Sequence, residues 1–146
     1  MSEITVTSRL CQKLRPVMNF PPLDAGRAMA IGQTAAHLGV TLRTLRFYEQ
    51  SGLLAPVRDG QRRVYSSDDV ERLELIVTLR ELELSLAAIR DLFRMIDEPN
   101  PDGVAAAEAR IGETLETLLS DNVARIAELQ AINQRISVAR GELEGM

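Results

Sequence analysis

Between Val40 and Pro56 the chain reads VTLRTLRFYEQSGLLAP, which sets Arg43, Arg46 and Tyr48 close together on one short helix-like run. A guanidinium is always charged and presents its N–H donors as a rigid fork that matches carboxylate and phosphate oxygens. A tyrosine hydroxyl can add one more donor to the same anion. Three further arginines, Arg58, Arg62 and Arg63, follow within the next fifteen residues. These side chains hold anions; they do not break bonds. One reading is a solvated helix face, and the other is a face that lies against something negatively charged.

Other chemistry is poorly supplied. No nucleophile–base pair and no glycine-rich phosphate cradle is visible, so an enzyme is not expected. Asp68 and Asp69 could form a carboxylate pair, but they stand in the first turn of a helix, where capping and the helix dipole account for them. His37 and Cys11 are the only residues of their types. A histidine or thiolate metal cluster and an intramolecular disulfide are therefore excluded within one chain, and no cofactor is implied. No apolar run approaches the roughly 18 residues of a membrane helix. The N-terminus lacks the basic start, apolar stretch and cleavage site of a secretory signal. A cytoplasmic protein without a membrane partner is expected.

The formal net charge is −4 over 146 residues, which taken alone argues against a polyanionic partner. Its distribution argues otherwise. Residues 29–65 carry five arginines against Glu49 and Asp59, whereas residues 97–146 carry four arginines against ten carboxylates. A basic segment in an acidic chain can still bind phosphate where it is concentrated.

The elements that must position these arginines are mostly helical. Aliphatic residues dominate the 45% apolar fraction, only five residues are aromatic, and none is Trp. Residues 1–28 contain Pro16, Pro21 and Pro22 and show no sustained periodicity, so they read as an N-terminal extension. It is either a flexible arm or a segment ahead of a true start at Met29. Ile31, Ala35 and Leu38 then recur at helical spacing and Gly39 ends the run. Thr41 suits the N-cap of a helix over about 42–51, closed by Gly52. Asp59-Gly60 between Val57 and RRVY suits a small β-hairpin. Ser66 or Ser67 can cap a helix carrying Leu73, Ile76, Leu79 and Leu82, and Ser85 starts another with Leu86, Ile89, Leu92 or Phe93, and Ile96 inward.

DEPNPDG, residues 97–103, breaks the helical pattern. Beyond it Ile111, Leu115, Leu118, Leu119, Val123, Ile126, Leu129, Ile132 and Ile136 fall mostly three or four apart. A helix over 104–140 would be roughly 55 Å long. A domain of under 70 residues cannot cover such a stripe, so a coiled-coil homodimer is inferred through these residues, the alternative being that the helix folds back on its own globule. Asn133 can sit in the seam and help set register, or face outward. The domain reading is thus 1–28 extension, 29–97 binding domain, 98–103 linker and 104–146 dimerisation helix.

Ala35, Gly39, Val40 and Leu45 have the offsets of a helix-turn-helix, with Arg43 near the end of the second helix that meets base edges in a major groove. Arg46 lies one turn on, and the hairpin with Arg58, Arg62 and Arg63 would act as a wing. The ordered series TLRFYE, GLL, R, RRVYS, DVERL closely resembles the MerR family of bacterial transcription regulators, strongly over residues 30–96 and in character only over the long helix. The resemblance implies a mainly α fold: a winged helix-turn-helix with a small β-hairpin wing, a second helical wing, and a long antiparallel coiled-coil dimerisation helix. It further implies a dimer that binds a near-palindromic operator in double-stranded promoter DNA and distorts the spacer for RNA polymerase.

Carried over by position, Arg43 and Arg46 match recognition-helix contacts, Tyr48 a backbone-contacting aromatic, Arg58 the basic residue of the first wing strand, and Arg63 with Tyr65 the wing's Arg-x-Tyr element. Thr41 and Thr44 join this DNA-facing set. Phe47 is assigned to the core. Arg62 departs from the pattern, since many members have an aromatic there; it adds a cation. No cysteine follows Cys11, which disfavours the thiolate metal- and redox-sensing branches, and no drug-binding domain is expected after residue 146. Any small effector would bind in the coiled coil or between it and the second wing; constitutive action is equally open. The competing function is a protein-interaction module, a chaperone modulator or phage-type accessory factor built on the same fold.

Overall fold

The structure is a computed structural model that describes residues 5–22 and 28–145. It divides into two compact units with the boundary between Glu108 and Ala109.

Helix α4 (Ser67–Glu81) is the centre of the first unit. Leu73, Leu75, Ile76, Val77 and Leu79 are all buried, so its apolar side chains point in every direction. A helix that is hydrophobic all round has to be enclosed, and α4 is packed by α1 (Val6–Leu14), α2 (Ile31–Leu38), α5 (Leu86–Asp97) and β3 (Arg62–Tyr65). Its start is fixed reciprocally. Ser66 Oγ accepts from the Asp69 N–H at 3.1 Å, and Asp69 Oδ2 accepts from the Ser66 N–H at 3.0 Å. The expected capping role of this turn is therefore filled by Asp69, with Ser66 as the cap.

The helix-turn-helix follows from two local signals. Gly39 adopts φ +68, a left-handed conformation that side chains resist, and the Val40 N–H then bonds Ala35 O at 3.1 Å. Thr41 Oγ1 accepts from the Thr44 N–H at 3.1 Å and starts α3 (Leu42–Gln50). Buried Ala35 and Leu38 on α2 and Leu45 on α3 hold the pair together.

β2 (Val57–Asp59) and β3 pair antiparallel through the two-residue turn Gly60-Gln61, with Gly60 at φ +65. A glycine with positive φ at the first turn position suits the right-handed twist of a hairpin. The sheet has a third strand that was not expected: β1 (Met29–Ala30) pairs with the other edge of β3, Met29 opposite Tyr65.

The N-terminal segment corrects a second expectation. Residues 6–14 form α1, capped by Thr5, and a 3-10 turn spans Arg15–Val17. Pro16 ends the helix; it does not prevent one. Leu10 and Cys11 are 2% and 1% exposed, docked on α4. Polar ties reinforce the docking: Ser8 Oγ donates to Glu71, Arg15 Nη1 reaches Glu74 Oε2 at 3.4 Å, and Lys13 Nζ reaches Glu108 at 2.6 Å. His37 also faces Glu74 at 3.4 Å and stacks on Phe20. Burial, reinforced by Glu71 and Glu74, pushes the Cys11 thiol up to about 12. Thiolate is the reactive form, so this cysteine is chemically quiet. Residues 1–4 and 23–27 of the expected extension lie outside the described residues.

Helix α6 (Gly103–Glu144) begins in the first unit and runs through the second as 42 continuous helical residues, longer at both ends than expected. Among the described residues no helix is long and apolar enough to cross a membrane.

Docking of α1 by apolar burial carries an energetic signature. Leu10→Ala is expected to cost about 2–4 kcal/mol, read as a lower urea midpoint at unchanged slope. An unaltered midpoint would mean that α1 is not seated on α4 in solution.

Candidate nucleic-acid interface

Leu45 is fully buried and fixes the rotational phase of α3. Tyr48, three residues on, shares its face and is 6% exposed. Arg43, Arg46 and Phe47, at spacing three and four, form the opposite, exposed row. Two sequence expectations are thereby exchanged. Phe47, assigned to the core, is 49% exposed beside the arginines, and Tyr48, assigned to the DNA backbone, is internal. Burial raises the Tyr48 hydroxyl pKa, and the neighbouring Arg80 offsets part of that rise. Counting helical phase from Leu45 would have found both, since Phe47 lies about 200° around from it.

Thr41 and Thr44 are committed locally: their hydroxyls bond each other at 2.9 Å in addition to the cap. Both stand at the N-terminal end of α3, next to Arg43, so the cap fixes the helix end that carries the arginine.

The hairpin concentrates charge differently from expectation. Arg58 and Arg63 are directly opposed across the ladder. Like charges in that position raise the energy of a sheet. Glu49 on α3 answers both: Arg63 Nε donates to Oε2 at 2.6 Å, and Arg58 Nη2 to Oε1 at 3.4 Å. Arg62, nearest the turn, is exposed. Among the described residues Arg43, Arg46 and Arg62 have no carboxylate within salt-bridge distance, leaving three uncompensated cations on α3 and the wing.

Tyr65 is fully buried, and its hydroxyl has no hydrogen-bond partner among the described residues. Burial raises its pKa, with Glu49 adding to the effect. It anchors β3 in the core and does not reach the surface, which corrects its expected place in the DNA-facing set.

Arg72 was not singled out by sequence, yet it joins three elements. Its Nε donates to Leu53 O at 2.6 Å, its two Nη groups fork onto Asp97 at 2.8 and 3.0 Å, and its guanidinium lies 4.2 Å over the Phe93 ring. This fixes the loop after α3 against the end of α5. A hollow of about 320 Å³ beside it is lined by Arg72, Arg90, Phe93 and Arg94, among others. The only signal for Arg72 in the chain was its place in DVERL.

A capped second helix with an outward cationic row, a tight glycine turn before it and a hairpin after it define a winged helix-turn-helix DNA-binding protein. Comparison with known proteins makes the assignment specific. Residues 29–96 match the family description "MerR HTH family regulatory protein", and residues 70–138 match "MerR, DNA binding". The chain is 33% identical over 110 residues to the HTH-type transcriptional regulator ZntR homolog of Haemophilus influenzae, covering 74% of this chain and 78% of that protein. Among solved structures, the N-terminal part of MtaN, the multidrug transporter activator of Bacillus subtilis, is 31% identical with a TM-score of 0.55, covering 74% of this chain and 97% of that one. HiNmlR, a MerR family regulator lacking the sensor domain and bound to promoter DNA, shares the fold at 21% identity and a TM-score of 0.52, over 70% and 77% of the two chains. The chain belongs to the MerR family, and it is a DNA-binding transcriptional regulator.

The internal position of Tyr65 separates structure from contact. Removing a buried hydroxyl that has no partner costs little or is favourable. Tyr65→Phe is therefore expected to leave thermal stability unchanged or slightly raised, with DNA affinity unaltered. A marked loss of affinity in a titration against duplex DNA would place the hydroxyl at the interface after all.

Proposed function

We propose that this regulator acts as a homodimer, each protomer setting α3 in a major groove and the hairpin on the flanking backbone of promoter DNA. The observation that carries this reading is the exposed row of Arg43, Arg46 and Phe47 with Arg62 at the adjoining turn. Arg43, nearest the N-terminal end of α3, is read as the base contact, with Arg46 beside it and Arg62 and Arg63 as phosphate contacts. The promoter-bound state of HiNmlR supports the same use of the fold here. Residues 29–97 are read as the DNA-binding domain, 98–103 as the linker and 104–146 as the dimerisation helix.

Dimerisation rests on α6. Leu119, Val123, Ile126, Leu129, Ile132 and Ile136 are each about half exposed or more. Five steps span 17 residues from Leu119 to Ile136, a mean of about 3.4, close to the 3.5 repeat of a left-handed coiled coil. Ile111 differs, being already buried within the chain, while Leu115 and Leu118 are half-buried. The seam is accordingly read as beginning near Leu115. Pairing of this helix would place two recognition helices on major grooves about 34 Å apart. Bending and untwisting the spacer costs on the order of 1–6 kcal/mol, offset by contacts from two recognition helices and the wings. The distorted promoter is then usable by RNA polymerase, and the regulator works in the cytoplasm without catalysis of its own.

Three to five neutralised phosphates per protomer imply a log K against log salt slope of very roughly −5 to −9. Arg43→Ala is expected to lower discrimination by about 1–3 kcal/mol at one base position per half-site. Arg62→Ala should weaken all duplexes alike. Selection from a random duplex pool, followed by titration at several salt concentrations, checks both; equal binding by the parent and both variants would overturn these roles. Separately, Ile126→Lys is expected to convert a dimer into monomer in sedimentation. A parent that sediments as a monomer at micromolar concentration would remove the dimer from this reading.

A further inference from the structure

Among the described residues, Glu49 is the carboxylate that reaches from the recognition helix to the wing arginines, and no contact role for it follows from the charge pattern alone. It lies on α3 one turn beyond Arg46, 20% exposed at its side chain, and it holds Arg63 and Arg58 together. A carboxylate at a surface meant for phosphates repels them, so its position requires a reason. Two features supply one. The Arg63 contact uses Nε, at 2.6 Å, and among the described residues the Nη nitrogens of Arg63 make no hydrogen bond. A guanidinium has five donors, so Arg63 can remain fixed to Glu49 through Nε while its terminal nitrogens fork onto a phosphate. Arg58, directly across the ladder from Arg63, is brought to the same carboxylate, which relieves the repulsion between two opposed cations.

We propose that Glu49 is a specificity-determining positioning residue: it orients the wing arginines for a seated duplex and withholds part of their charge from a duplex that is not seated. The proposal rests on the DNA-interface reading given above. The two effects act at different ranges. Attraction to any duplex depends on net positive charge and does not require orientation, and each Glu49 subtracts one charge from that attraction. A docked phosphate contact depends on geometry, and a pre-positioned guanidinium loses less freedom on forming it. Discrimination is a difference of two affinities. Lowering the first while sustaining the second widens it.

The test uses full-length protein and two probes: the duplex enriched from a random pool by the parent, and a scrambled duplex of the same composition. Glu49→Gln keeps the shape and removes the charge. It is expected to bind the scrambled duplex roughly two- to tenfold more tightly, with a salt slope steeper by about one for each protomer engaged. The gain on the enriched duplex should be smaller, so the ratio of the two affinities falls. Glu49→Asp should restore the ratio at least in part, and Glu49→Gln should have no further effect on it in an Arg58→Ala, Arg63→Ala background. A ratio that is unchanged or raised in Glu49→Gln, or that falls just as far without the two arginines, overturns the proposal. A parent that shows no salt-dependent binding to either duplex overturns the interface reading itself, a distinct result.

Discussion

Enclosure of helix α4 is the constraint on which the first unit rests. Eight of its positions are buried, from Val70 to Leu79, and they include Glu74 and Thr78. Burying one large aliphatic side chain contributes about 1.5–3 kcal/mol, and α4 brings several from a single segment. No one neighbour can cover such a helix. The helix-turn-helix, the wing strand, α5 and α1 each cover part of it, so each owes its position to the same core. Close-packed interiors deform little. The recognition helix and the wing are consequently held in register by a helix that carries none of the proposed DNA contacts.

Charge is arranged on that frame by subtraction as well as addition. The chain is acidic overall, and all five arginines between residues 29 and 65 lie on α3 and the hairpin. Inside that cluster, Glu49 takes up Arg58 and Arg63, while Arg43, Arg46 and Arg62 are left without a carboxylate partner among the described residues. Counting arginines overstates what is available. Elsewhere, ion pairs fasten structure: Arg72 forks onto Asp97 and meets Leu53, joining three elements through one planar group.

What could be read directly from the chain was whatever is encoded within a few residues. The caps at Thr41, Ser66 and Ser85 and the left-handed Gly39 act locally and lie where their residue types place them, and Asp59-Gly60 marked the hairpin although its turn is shifted by one residue to Gly60-Gln61. The long stripe of α6 was equally legible because it repeats. Most of what escaped depends on partners distant in sequence. Helix α1 is stabilised by a surface on α4 some sixty residues away, and its flanking prolines obscured the Val6, Leu10, Leu14 spacing. Strand β1 is two residues long and exists only because β3 has a free edge. Tyr48 and Tyr65 offered hydroxyls that invited a polar role, whereas the phase of α3 and the pleat of β3 turn both inward.

The three-stranded sheet also has exposed edge groups. Its strand order β1-β3-β2 leaves β1 and β2 as the two edge strands, and all three residues of β2 are exposed, Val57 by 70%. An unpaired border of this kind is a template on which another copy could assemble ladder-wise into aggregates. Arg58 and Asp59 occupy two of its three positions, and Pro56 precedes it without an amide hydrogen to donate. The ribbon suited to meet nucleic acid is thus also charged, short and interrupted enough to discourage self-templating. Protection against ladder-wise assembly and the proposed DNA contact draw on the same short strand.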